Sequence, residues 1–345
     1  MREKRLIDYR SPSPSCQNAT ALQRRTADRW ELLLLFSSFG KRLATTNRVP
    51  TNGLSISLPR WDYSRTGVAQ MLPSSLSYDR EFVSPQDKVT KQKEFMVLVA
   101  ASTECFADLP LSQAIGRLMD LEYTSVEIAI HEDGNQLRPS AVAKDVDAAI
   151  DACMLTHRAS IIAYSVKIDA EGEEYYRQWL ACCRLAKATK VVTLTVPSAE
   201  LGTPFNQEVE HLQRLVALAE SQGVRVAIKS QIGRLSEDPD TVIVLCDNVK
   251  GLGVTLDPSH YLCNPTGPKE YDRLLKYVYH VHLRDSTKTK LQVRIGQGEI
   301  EYGRLINMLK KVRYDRSFSV DIREMEGVEH VAELRKMRLL LESLM

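Results

Sequence analysis

From residue 96 onward, short apolar runs alternate with longer stretches of helical spacing. Strands are predicted over 96–101, 125–130, 159–166, 191–196, 225–230, 253–257, 278–283 and 318–322. Helices are predicted between and after them, over 111–121, 141–155, 173–188, 206–222, 239–248, 269–276, 303–312 and 328–344. Leu212, Leu215, Val216 and Ala219 fall at i, i+3, i+4 and i+7, the spacing of one buried helix face. Gly223 follows that run, as a helix-ending glycine should. Eight strands alternating with eight helices match the rhythm and size of a (β/α)8 barrel, an α/β TIM-barrel fold. An open doubly wound sheet is the structural alternative. It would normally carry a glycine-rich first turn, and residues 101–106 contain no glycine.

Residues 1–95 read differently. Serine, threonine, arginine and proline dominate, and apolar periodicity is absent apart from one candidate short helix near 27–39. Such a stretch buries too little surface to offset its ordering entropy, so a mostly disordered extension is expected before a barrel over 96–345. An organelle-targeting peptide is a minor alternative, weakened by Asp8, Asp28 and Glu31. A third is that the functional product starts at Met96, which opens the first predicted strand.

Charge sharpens this division. Residues 1–95 carry 16 Lys+Arg against 9 Asp+Glu, whereas the remainder is mildly acidic. An acidic barrel without clustered cations does not suit nucleic acid. The longest apolar run near the N-terminus, 32–36, is too short to span a membrane, so no membrane partner is expected. Seven cysteines, an odd number with no CxxC pair, point to a reducing, cytoplasmic compartment.

The candidate chemistry lies where predicted strands end, which in a barrel is the active-site face. The second strand carries Glu127. The fifth carries Lys229, the sixth ends in Asp257 and His260, the seventh holds His280 and His282 on one side, and the eighth ends in Asp321. Each has a bland reading. Asp-Pro-Ser-His alone is an Asx turn or a helix cap. A lone strand histidine is usually a hydrogen-bonded core residue, and a lone strand lysine is usually solvated. The coincidence of acid, imidazole and cation at four successive strand ends favours a functional cluster.

Four motifs together resemble a known family. They are Leu-Asp-Pro-Ser-His-Tyr at 256–261, His-Val-His-Leu-Arg-Asp at 280–285, Gly-Gln-Gly-Glu-Ile at 296–300 and Phe-Ser-Val-Asp-Ile at 318–322. From residue 96 to the end, the chain is similar to the xylose-isomerase-like TIM barrels, which include sugar and sugar-phosphate isomerases and epimerases and the AP endonucleases. The resemblance implies proton transfer next to a carbonyl of a small-molecule sugar or sugar phosphate. It implies one divalent ion (Mn, Mg, Co or Zn) and a homo-oligomer, since dimers and tetramers are common in the family. Family ligands are a strand-five Glu, a strand-six Asp, a strand-seven His and a strand-eight Glu. Mapped here, the metal set is Asp257, His282 and Asp321, with Asp321 also as base. His260 matches a substrate-binding histidine, and Arg294 and Glu127 are further candidate substrate contacts.

Strand five departs from the family: Lys229 stands where it has a ligand Glu. A positive charge there opposes cation binding. Three accounts follow. The ion stays on Asp257, His282 and Asp321 while Lys229 faces a substrate anion. Alternatively the Lys229 ammonium replaces the ion, polarising a carbonyl or acting through lysine chemistry. In the last account the barrel is a sugar-binding module without catalysis. The endonuclease reading fails on sequence, because Lys290 and Gln292 stand where those enzymes carry Asp and His.

Overall fold

A computed structural model of the chain describes residues 97–345 apart from residue 157. The expectations placed on residues 1–95 lie outside the described residues. Eight parallel strands close into a barrel in sequence order: β1 (Leu98–Ser102), β2 (Ser125–His131), β3 (Ser160–Lys167), β4 (Thr193–Pro197), β5 (Arg225–Lys229), β6 (Leu252–Leu256), β7 (Val278–Leu283) and β8 (Ser317–Val320). β8 pairs back onto β1 through Val99↔Phe318 and Ala101↔Val320, which closes the barrel. The strands read as near-continuous apolar runs because parallel strands in a barrel are covered on both faces. β2, for example, is buried from Ser125 to Ile130.

Nine α-helices are described: α1 (Leu111–Asp120), α2 (Pro139–Lys144), α3 (Val146–Met154), α4 (Gly172–Ala188), α5 (Phe205–Glu220), α6 (Pro239–Asn248), α7 (Pro258–Leu262), α8 (Tyr302–Lys311) and α9 (His330–Leu344). The apolar stripe of α5 is buried as its spacing predicts, and Gly223 follows in the left-handed region at φ +73°. Trp179 on α4 is fully buried and donates its indole N–H to the Leu215 carbonyl at 3.0 Å, tying α4 to α5. Tyr123, just before β2, donates to the Leu334 carbonyl at 2.8 Å and anchors the last helix.

Three expectations change. The helix predicted over 141–155 is two helices. Asp145 sits between them in extended backbone, and its carboxylate accepts the Ala148 N–H at 2.9 Å. An aspartate there caps a new helix rather than continuing the old one. The stretch predicted over 269–276 is a 3-10 turn, Asp272–Tyr277. Short α7 is absent from the predicted helices, although the helix-cap reading of Asp-Pro-Ser-His holds. It starts because Asp257 caps it, accepting from the Ser259 N–H at 3.1 Å, with Pro258 preset at its first turn.

The Gly-Gln-Gly motif has a structural explanation. Asp285 Oδ2 accepts the Gly296 N–H at 2.8 Å and the Gly298 N–H at 3.0 Å, folding the loop back onto the end of β7. A Cβ on Gly298 would lie 1.9 Å from Asp285 Oδ1 and 2.7 Å from the Ser286 carbonyl oxygen. Gly298→Ala should therefore destabilise the fold by about 1–3 kcal/mol. Urea denaturation measures this, and an unchanged midpoint would show that the loop can shift freely. The six described cysteines are all free thiols, five of them buried. Among the described residues no helix is long and apolar enough to cross a membrane.

Candidate active site

The C-terminal strand ends enclose a cavity of about 530 Å³. Its walls include Lys229, His260 and Arg284 on one side and Glu104, His131 and Ser165 on the other. Beneath the first group lie two fully buried carboxylates. Asp321 Oδ2 accepts from Lys229 Nζ at 2.8 Å and from Arg284 Nη2 at 2.8 Å. The same Arg284 nitrogen donates to Asp257 Oδ2 at 2.9 Å. One guanidinium thus bridges the ends of β6 and β8 from the end of β7.

Electrostatics follow from this packing. Burial pushes the Asp257 carboxyl up, but Arg284, His260 and Lys229 outweigh it and hold it below the usual range. Burial also raises Asp321, and Lys229 and Arg284 outweigh it by more, leaving it well below. Burial alone would lower the Lys229 ammonium, yet Asp321 more than compensates and raises it. Lys229 is therefore a charged ammonium at neutral pH, not the free amine that Schiff-base chemistry needs. Arg284 is raised too, with Asp257 and Asp321 outweighing burial.

His260 behaves differently. Burial lowers it to about 4, with Arg284 and Lys229 adding to the effect against Asp257. At neutral pH the ring is uncharged. Its Nδ1 accepts the Ile232 N–H at 3.2 Å, so its proton sits on Nε2, 3.7 Å from Asp257 Oδ2. The ring offers the cavity an N–H donor, not a base. A linkage test follows. Between the unfolded value near 6.5 and about 4, the unfolded state holds a proton on this ring that the folded state lacks. That uptake makes stability fall as pH drops through the window. His260→Gln should flatten the acid limb there, as read by urea midpoints against pH. An unchanged slope would show that the ring is protonated in the folded protein.

One layer deeper, Glu127 is fully buried. His280 Nε2 donates to it at 2.8 Å, and His282 Nε2 lies 2.8 and 2.9 Å from its two oxygens. Burial would raise this carboxyl, but the two imidazoles hold it well below its ordinary value. With Nε2 on Glu127, His282 turns Nδ1 toward Asp321 Oδ2 at 3.5 Å, where it has no hydrogen-bond partner. Asp321 Oδ1 is likewise buried and accepts no hydrogen bond, with Arg323 Nε 3.8 Å away.

The expected residues meet unevenly. Asp257, His282 and Asp321 do converge: one ligand atom from each lies within 4.8 Å of the others, and they could hold an ion. Glu127, His280 and His282 form a second such group. A metal-bound histidine typically has its other nitrogen fixed by a carboxylate, which Glu127 supplies. The oxygens of the first group, however, already bind Lys229 and Arg284. Two buried carboxylates face two permanent cations, and a divalent ion would add uncompensated charge. With those side chains in place the set does not fit such an ion. Lys229 and His260 line the cavity as expected. Two expected substrate contacts lie elsewhere. Arg294 is half-exposed, 3.8 Å from Glu333, and is not part of the cavity wall. Glu127 touches two imidazoles and is sealed beneath the site.

Glu104 is the site residue that sequence reasoning missed, and Arg284 and His131 are visible in sequence at strand ends without any role assigned to them. Arg284 stood in the quoted motif at 280–285, one position past β7, with no alternation to show which way it points. Glu104 sits in a 3-10 turn after β1, where no period exists to read.

Comparison with known proteins now decides the lineage. Residues 115–343 match the xylose isomerase-like TIM barrel family. The chain belongs to that family. Among solved structures it resembles D-allulose 3-epimerase from Methylomonas sp., with a TM-score of 0.58 and 12% identity, covering 72% of this chain and 98% of that one. It also resembles a xylose isomerase-like TIM barrel protein from Mycobacterium smegmatis in complex with magnesium, with a TM-score of 0.57 and 13% identity, covering 72% and 98%. At such identities these likenesses speak for the fold. An uncharacterized protein of Methanocaldococcus jannaschii, MJ1311, is 25% identical over 136 residues, which is 36% of this chain and 46% of that protein. The chain therefore spans under half the length of that curated relative. Sugar epimerases thus stand among the structural relatives of this xylose isomerase-like barrel.

Proposed function

We propose that the barrel is an isomerase or epimerase acting on a polyhydroxylated carbonyl compound, a sugar or sugar phosphate. We further propose that Lys229 and Arg284 supply the positive charge at the reacting oxygen. The observation that carries this is the Arg284 bridge between Asp257 and Asp321, with Lys229 on the same Asp321 oxygen. Both cations line the cavity, and the His260 N–H lies beside them. Removing a proton next to a carbonyl puts negative charge on that oxygen. Fixed donors in a water-poor site stabilise such charge without reorganising. Asp257 and Asp321 keep the two cations charged and aimed. The candidate anion contact passes from Arg294 to Arg234, which lines the cavity while its guanidinium rests on the Ser198 carbonyl at 2.7 Å.

The ion-assisted form of the reaction is favoured by one observation, that buried His282 Nδ1 and Asp321 Oδ1 make no hydrogen bond. It would require Lys229 to leave Asp321 and Arg284 to leave both carboxylates. The test is a panel of ketopentoses, ketohexoses and their phosphates, incubated with protein treated with chelator and followed by NMR. Isomerised or epimerised product without added metal is expected. Turnover that appears only after adding a divalent ion would transfer the role of the cations to that ion. No turnover under either condition would remove the enzyme reading and leave a sugar-binding barrel.

A further inference from the structure

Across the cavity from the cations stands a second group that the proposed function does not use. His131, at the end of β2, places Nδ1 2.6 Å from Glu104 Oε1. Its Nε2 lies 3.4 Å from the Ser165 hydroxyl on β3. All three residues line the cavity. Burial would raise the Glu104 carboxyl, but its hydrogen bond with His131 and the nearby Arg323 guanidinium hold it below its usual value. Glu104 is thus an anion that only accepts, so His131 carries its proton on Nδ1. With one proton on Nδ1, the ring's lone pair lies on Nε2, 3.4 Å from the Ser165 hydroxyl.

Glu104 is itself fixed. Arg323 donates from Nη2 to its carboxylate and from Nη1 to its backbone carbonyl at 3.1 Å. Arg323 is in turn clamped through its backbone by Gln292, which accepts the Arg323 N–H at 2.8 Å and donates to the Arg323 carbonyl at 2.6 Å. The strands carrying this group, β1 to β3, lie across the closed barrel from β5 to β7, which carry Lys229, His260 and Arg284. A substrate in the cavity would have cations on one side and an oriented imidazole on the other.

We propose that His131 is the proton-transfer base of this enzyme and that Glu104 is its positioning residue. The inference rests on the isomerase reading above and names the group that moves the proton. The C–H bond next to the substrate carbonyl breaks, and its proton goes to His131 Nε2. The electron pair moves onto the carbonyl oxygen as an enediolate, facing Lys229, Arg284 and the His260 N–H. The imidazolium, held by Glu104, returns the proton to the neighbouring carbon on the same face, while the hydroxyl proton of that carbon passes to the enediolate oxygen, so the carbonyl moves by one position. Nothing else is consumed. The arrangement also relieves Asp321 of the role of base, which suits an acid that is fully buried, paired with Lys229, Arg284 and Arg323, and absent from the cavity wall.

Two measurements on the full chain decide the matter. In the first, nitrogen-15 spectra of histidine-labelled wild type report the tautomer, with the His131 signal assigned by its loss in His131→Asn. A proton on Nδ1 is expected in wild type, and Glu104→Gln should weaken that preference. A proton on Nε2 overturns the proposal without depending on how any variant folds. The second measures deuterium incorporation from solvent into ketohexoses, alongside calorimetric binding of sorbitol, which has no carbonyl. His131→Asn should lose incorporation by about 100-fold or more while sorbitol binding is kept. Retained incorporation in His131→Asn sinks the base and leaves the isomerase reading standing. A wild type that incorporates no deuterium from any ketose sinks both.

Discussion

Replacing Arg284 by methionine is expected to destabilise the barrel by about 3–5 kcal/mol at neutral pH, because it strips a bridging cation from two buried carboxylates. Asp257 Oδ2 would lose the donor at 2.9 Å, and Asp321 would keep Lys229 at 2.8 Å and the more distant Arg323 at 3.8 Å. Methionine fills similar volume, so little of the loss would come from packing. The pH dependence separates charge from shape. In wild type both carboxyls are held below their ordinary values, so their stabilisation is present above the unfolded carboxylate range and lost as pH falls through the folded values. In the variant these carboxyls rise and accept protons more readily. The deficit against wild type should therefore shrink as pH falls toward the carboxylate range. Urea denaturation at neutral and mildly acidic pH measures it. An equal deficit at both would mean that Arg284 acts by packing alone.

Glu127→Ala is expected to be as severe, at about 3–5 kcal/mol, since it removes a buried charge that satisfies two imidazoles at once. His280 and His282 would each lose the acceptor within 2.9 Å. Activity should fall along with stability, because Glu127 sets the orientation of His282 beneath Asp321. Glu127→Gln retains an acceptor oxygen and should recover part of the stability. A Glu127→Ala protein with unchanged thermal and urea midpoints would show that the layer does not hold the barrel.

The barrel was legible because its signal is redundant. Eight apolar runs, each long enough for one strand, alternate with helical spacing, and a parallel barrel is the compact way to bury them all. What escaped were local decisions. Asp145 lies within an otherwise helical pattern, and only its carboxylate on the Ala148 N–H shows that it starts a helix. The site was half legible. Asp257, His282 and Asp321 were placed by their strand ends and do converge. The direction of Arg284 could not be read, since one residue past a strand the alternation no longer applies. Arg294, eleven residues past the end of β7, looked like a cation near the site and instead lies by Glu333. The Lys229 anomaly was visible from the sequence. Its meaning depended on Arg284, because one lysine at a ligand position is a defect in a metal site, whereas a lysine and an arginine sharing one carboxylate oxygen form a different centre.

In the proposed site the Lys229–Arg284 pair stands in for the divalent ion. Metal content by plasma mass spectrometry, on wild type and Lys229→Glu purified without chelator, tests it most directly. Wild type is predicted to hold no stoichiometric divalent ion, and Lys229→Glu, which restores a carboxylate at that strand end, is predicted to gain one. Near-stoichiometric manganese, magnesium, cobalt or zinc in wild type, lost in Asp257→Ala, would contradict it.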